Sequence, residues 1–174
     1  GGTFTGDITV ENIIAKGPTG TYDIGSSSSK FNDIYATTFN GTATSALYAD
    51  LAENYVADSK YEPGTVVEFG GDAEVRQTSS KNSPAIAGVV STEPAHLMNA
   101  GLEGDNVVAV ALRGRIPCKV YGPVRKGDVL IASSHPGHAE AAPFKGYQTP
   151  AVSVVGKAIT EHLQIGEGVI EVLV

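Results

Sequence analysis

Residues 1–61 hold eight of the chain's twelve aromatic side chains but no sustained aliphatic run, and no other feature constrains the fold as much. Phe4, Tyr22, Phe31, Tyr35, Phe39, Tyr48, Tyr55 and Tyr61 punctuate a background of Gly, Ser, Thr, Ala, Asn and Asp. The apolar runs are short: Ile8-Thr9-Val10, Ile13-Ile14 and Ile34-Tyr35. A segment of this size with so little aliphatic mass does not close a core alone. Its aromatic and β-branched residues recur too regularly, and its charge is too modest, for a disordered tract. Its apolar groups are therefore expected to be buried against copies of itself, as an oligomeric β segment.

Self-similarity points the same way. Glu11-Asn12-Ile13-Ile14-Ala15 aligns with Asn32-Asp33-Ile34-Tyr35-Ala36, each followed by a glycine turn at Gly17 or Gly41. Such repetition hints at shaft-like stacking. Pro18-Thr19-Gly20, Gly25 to Ser29 and Asn40-Gly41 read as turns between strand-like stretches. In residues 43–56, Leu47, Leu51 and Tyr55 recur at i, i+4 and i+8, which predicts a short helix. That helix would form a close-packed three-helix neck or lie on its own domain.

A composition break at Tyr61-Glu62-Pro63-Gly64 divides the chain into 1–61, a trimeric β shaft and neck, and 62–174, a globular β domain. In the second part, Thr65–Phe69 and Ala73–Gln77 flank Gly70-Gly71-Asp72 as a hairpin. Further strands are predicted at 86–90, 107–112, 116–120, 128–132, 154–159 and 169–174, giving a small barrel or sandwich. Pro94 to Gly101 reads as one helical turn ended by glycine. The final apolar strand is expected to be paired in a sheet.

Charge and motif chemistry remove several functions. Twelve basic against nineteen acidic residues give a net charge of −7, which argues against nucleic acid and anionic membrane surfaces as partners. No apolar run approaches the ~18 residues of a membrane span, and no signal peptide is read at the start. The single cysteine, Cys118, excludes an internal disulfide and reads as a small core residue. His135-Pro136-Gly137-His138, followed by Glu140, places two imidazoles in a turn. With neither a cysteine nor a second histidine pair nearby in sequence, it reads as a solvated hairpin tip. Ser133-Ser134-His135 lacks an orienting third group for nucleophilic catalysis. Arg113-Gly114-Arg115 and Arg125-Lys126-Gly127-Asp128 read as solvated loop charges between strands, and Asp50/Glu53 and Glu167/Glu171 as water-facing carboxylates. No catalytic residue, metal or cofactor is expected.

Gly2-Thr3-Phe4-Thr5-Gly6-Asp7-Ile8, Tyr22-Asp23-Ile24-Gly25-Ser26-Ser27 and Lys30 to Phe39 resemble bacteriophage tail-fibre sequence. Gly41 to Ala46, leading into Tyr48-Ala49-Asp50-Leu51-Ala52-Glu53, resembles the junction where a repetitive shaft meets a C-terminal domain. The rest is similar to the terminal β domain of fibres of T4-like tailed phages, through Val89-Val90-Ser91-Thr92, Leu97-Met98-Asn99, Gly122 to Asp128, Val155-Gly156-Lys157-Ala158 and Gly168 to Val174. The resemblance implies a homotrimeric virion protein of the tail or fibre, with an intertwined β shaft feeding a β head. Its implied partners are other phage tail or fibre proteins and a host surface glycan or protein. Ile8, Val10, Ile13, Ile14, Ile24, Phe31, Ile34 and Phe39, with Leu47 and Leu51, are the expected trimer-interface residues. Two alternatives stand beside it. One is an autoproteolytic intramolecular chaperone domain, tested at Ser59 or Glu53. The other is a bacterial surface β-module of prophage origin.

Overall fold

The computed structural model describes Ser26, Ser28, Ser29 and residues 50–143 and 153–174. The chain divides into two compact units, Gly1–Thr42 and Ala43–Val174. In the first, Ser26 and Ser29 exchange backbone hydrogen bonds (2.9 and 3.3 Å), a tight turn where the serine run predicts one.

The second unit is built from ten strands: β1 (Asp50–Val56), β2 (Val66–Phe69), β3 (Val75–Gln77), β4 (Ile86–Val90), β5 (His96–Met98), β6 (Val107–Tyr121), β7 (Val129–Ala132), β8 (Ala139–Ala141), β9 (Val154–Ala158) and β10 (Glu167–Leu173). Half of the described structure is strand and almost none is helix. Strand β6 organises it. Its first half pairs with β1 and β4, and its second half, beyond Gly114, pairs with β10 and β8. The second half closes a five-stranded barrel, β6–β10–β9–β7–β8 and back to β6. Closure removes free sheet edges from this part of the molecule.

The apolar doublets explain the layering. Val66, Val89 and Ala111 face one core with Ile116, Cys118, Val120, Leu130, Ile170 and Val172. Their chain neighbours Val67, Val90 and Val110 face a second core with Ala57, Val75 and Val108, against which Tyr55 and Tyr61 pack. Successive residues of a strand point to opposite faces, so an unbroken apolar pair marks a strand buried on both sides. Each fully buried valine contributes roughly 1.5 kcal/mol or more, so these doublets outweigh any local preference of the loops between them. The hairpin at 65–77 forms as predicted, with Val67 opposite Gln77 and Phe69 opposite Val75.

Five expectations are corrected. The helix predicted over 43–56 is a strand where the structure describes it, from Asp50 onward. β1 is hydrogen-bonded on both edges, antiparallel to β6 and parallel to β5, and a short isolated helix has nothing comparable to offset its nucleation cost. The described part of the expected shaft and neck, residues 50–61, therefore belongs to the β body, with Ala57 and Tyr61 at its second core. The helical turn at 94–101 is β5, drawn into extended form by pairing with Leu51–Glu53 and ended by Asn99 at φ 54°, which an asparagine tolerates. Strands 107–112 and 116–120 are one, and Arg113 and Arg115 lie within it as exposed side chains rather than in a turn between strands. Asp50 is buried rather than water-facing.

Candidate functional site

The chemistry-bearing side chains converge where β7 turns back into β8. His135-Pro136-Gly137-His138 makes a β-turn, with the His138 N–H donating to the His135 carbonyl at 3.2 Å. Proline at the second position and glycine at the third are what a turn of this type requires, and Gly137 has φ 70°. A β-carbon on Gly137 would stand 2.9 Å from Thr65 Cγ2, so the site demands glycine for space as well as for conformation. The turn is clamped from outside. Gly137 N–H donates to the Thr78 carbonyl and its own carbonyl accepts from Val66 N–H, both at 2.9 Å. Ser133 is fully buried, and its Oγ accepts the His135 N–H at 3.1 Å, so it caps the turn.

First and fourth residues of a turn are neighbours in space, and the two imidazoles meet edge to face, centroids 4.6 Å apart at 73°. The His135 ring also stacks on Tyr121, 4.4 Å away and 12° from parallel. Tyr121 ends β6, where it is the register partner of Glu167 at the start of β10. That register brings Glu167 Oε1 to 2.7 Å from His135 Nε2. His138 Nδ1 lies 2.7 Å from the Pro136 carbonyl, so in the neutral ring that nitrogen donates and Nε2 keeps its lone pair. One ligand atom each from His135, His138 and Glu167 all fall within 4.8 Å of one another. His138 and Glu167 also line an open cleft of about 350 Å³ with Lys119, Gly168 and Val169. The Lys119 ammonium donates to Thr65 Oγ1 at 2.9 Å.

The turn and the two histidines were legible from sequence; the third group was not. Glu140, the acid next to the pair in sequence, is held instead by Lys81 at 2.5 Å. Glu167, read as a water-facing carboxylate, is the one that reaches His135. Its arrival depends on β10 pairing with β6, and no local pattern encodes that.

The remaining candidate groups lie outside this cluster. Cys118 is wholly buried in the barrel core, and burial pushes its thiol up to about 12. Arg125-Lys126-Gly127-Asp128 is the expected turn, with Asp128 Oδ2 accepting the Arg125 N–H at 2.8 Å. Glu53 Oε2 accepts the Tyr55 hydroxyl at 2.9 Å, and Ser59 is exposed beyond β1. Of the expected interface residues, Leu51 is half-buried in β1 between His96 and Arg113. Ile8, Val10, Ile13, Ile14, Ile24, Phe31, Ile34, Phe39 and Leu47 lie outside the described residues. Among the described residues no helix is long and apolar enough to cross a membrane.

No protein-family model matches this sequence, and comparison with curated proteins finds no significant match.

Proposed function

We propose that this chain is a structural, non-enzymatic segment of a trimeric bacteriophage tail fibre. In this reading it is a virion protein in which a shared shaft leads into a β head that contributes to fibre assembly and host-cell attachment. The partners are two further copies of the chain, neighbouring tail or fibre proteins, and a surface glycan or protein of the host. The ordered series of fibre-like motifs is the first support.

The observation that carries the reading furthest is apolar surface left uncovered around the start of β10. Ile165 is 94% exposed, Val169 64% and Leu163 54%, within one loop and the strand that follows it. Large apolar side chains grouped in this way on a soluble β body mark an association surface. The residues ahead of β1 would need partners for a related reason, the shortage of aliphatic mass in their sequence.

The test is the native mass of the full chain in solution beside its fully denatured mass. One chain is 17.9 kDa, so an intertwined trimer of intact chains has three times that mass. A native mass of one chain at working concentration overturns the trimer and with it the fibre reading.

A further inference from the structure

We propose that His135, His138 and Glu167 form a binding site for one divalent transition-metal ion, with zinc the ion their chemistry fits best. The inference is independent of the fibre reading, because all three groups come from one chain.

The donor set is the first argument. Two imidazoles and one carboxylate select zinc and its neighbours over calcium or magnesium, which prefer all-oxygen shells. Three protein ligands with the remaining position open are an accepted arrangement for this ion.

Geometry is the second. With bonds of about 2.0–2.2 Å to nitrogen and oxygen, two ligands of a tetrahedral ion stand roughly 3.3 Å apart. The three ligand atoms already lie within 4.8 Å of one another, and the His135–Glu167 pair stands at 2.7 Å. Small side-chain rotations therefore suffice. The ion would replace the proton shared by His135 Nε2 and Glu167 and separate the two atoms slightly.

Support around the ligands is the third. The Pro136 carbonyl holds the proton of His138 on Nδ1, the outer hydrogen bond that metal-binding histidines ordinarily make. The Tyr121 ring, stacked on His135, fixes the plane of that imidazole. Backbone bonds to Thr78 and Val66 hold the turn that carries both rings. The remaining coordination position would face the cleft shared with Lys119 and Val169.

The experiment is titration of tag-free, chelator-stripped full-length chain with zinc chloride by calorimetry. Absorption of the cobalt-loaded protein reports the coordination number. The expected result is one zinc per chain at micromolar affinity or better, with a tetrahedral cobalt spectrum. His138→Gln and Glu167→Gln should each weaken binding by at least about tenfold. Glu140→Gln, which changes the acid nearest in sequence, should leave it unchanged. Circular dichroism of each variant establishes that the fold persists. Absence of uptake by the wild-type chain at micromolar zinc overturns the proposal. So does equal binding by folded Glu167→Gln, or loss of binding in Glu140→Gln but not in Glu167→Gln, because either places the ion elsewhere.

Discussion

The imidazole of His135 lies flat against the ring of Tyr121, with centroids 4.4 Å apart and planes 12° from parallel. Tyr121 ends β6 and His135, fourteen positions on in sequence, opens the β7–β8 turn, so the stack ties that turn to the end of β6.

The aromatic face is what positions the imidazole. In Tyr121→Phe the ring current that shields the His135 ring protons should persist, whereas in Tyr121→Ala those resonances should move toward their free-histidine positions. Proton–carbon NMR of the histidine rings checks it. The stack contributes on the order of 1 kcal/mol, so Tyr121→Ala should lower stability modestly while Tyr121→Phe stays near wild type. Unshifted His135 resonances in Tyr121→Ala would mean that the two rings do not stack in solution.

Cys118 predicts both chemical silence and an alkaline weakness. Buried and protonated, the thiol should react with a disulfide reagent only as fast as the chain opens. Its folded value of about 12 lies above the ordinary 9.0, so the folded state binds the more protons between them. Stability is therefore complete below pH 9 and falls as pH rises toward 12. Tyr55 is shifted upward by burial and its Glu53 hydrogen bond, and Tyr61 by burial and its Asp58 hydrogen bond, so both act with the same sign. Urea midpoints above pH 9 should fall less steeply in Cys118→Val than in wild type. Equal slopes would remove the thiol as a cause.

Glu68 is a nearly buried carboxylate, its side chain 4% exposed, paired with the Nε of Arg76 at 3.0 Å. The two are cross-strand partners in the β2–β3 hairpin. Removing the arginine strands the carboxylate, and with the guanidinium half exposed the cost should be about 1–2 kcal/mol. Arg76→Met should therefore destabilise more than Glu68→Gln, which leaves no charge behind. Denaturant unfolding of both variants decides, and the reverse order would show that Glu68 finds water.

Gly88 in β4 has no room for a side chain. A β-carbon there would stand 2.5 Å from the Ala111 carbonyl oxygen and 2.7 Å from Val110 Cγ1. Both atoms belong to β6, the strand shared by the two sheets, so relief requires the ladder to move. Gly88→Ala should cost about 2–3 kcal/mol, read as a lower thermal midpoint, against a much smaller effect for Gly101→Ala, whose surroundings are open. A near-native midpoint for Gly88→Ala would mean that β4 shifts without resistance.

Much of the β body could be read along the chain because its signals are local. Val66-Val67, Val89-Val90 and Val110-Ala111 announce strands buried on both faces by leaving out the polar alternation. Gly70-Gly71-Asp72 announces a hairpin, and His-Pro-Gly-His a turn that brings two imidazoles together, because backbone dihedrals depend on the residues that adopt them. Local periodicity misled at Leu51 and Tyr55, where a helical stripe lies on a strand. Which form wins there depends on β6 and β5 offering hydrogen bonds on either side, more than forty residues away. The closure of the barrel, the continuity of β6 through Arg113 and Arg115, and the arrival of Glu167 beside His135 belong to the same class. Each is set by a pairing between distant segments, whose energy comes from a shared core and a common register. The sequence alone therefore determined most of the strands and the turn that carries the histidines. Tertiary structure decided which carboxylate meets them, because a side chain's neighbours across a barrel are chosen by strand order and not by distance along the chain.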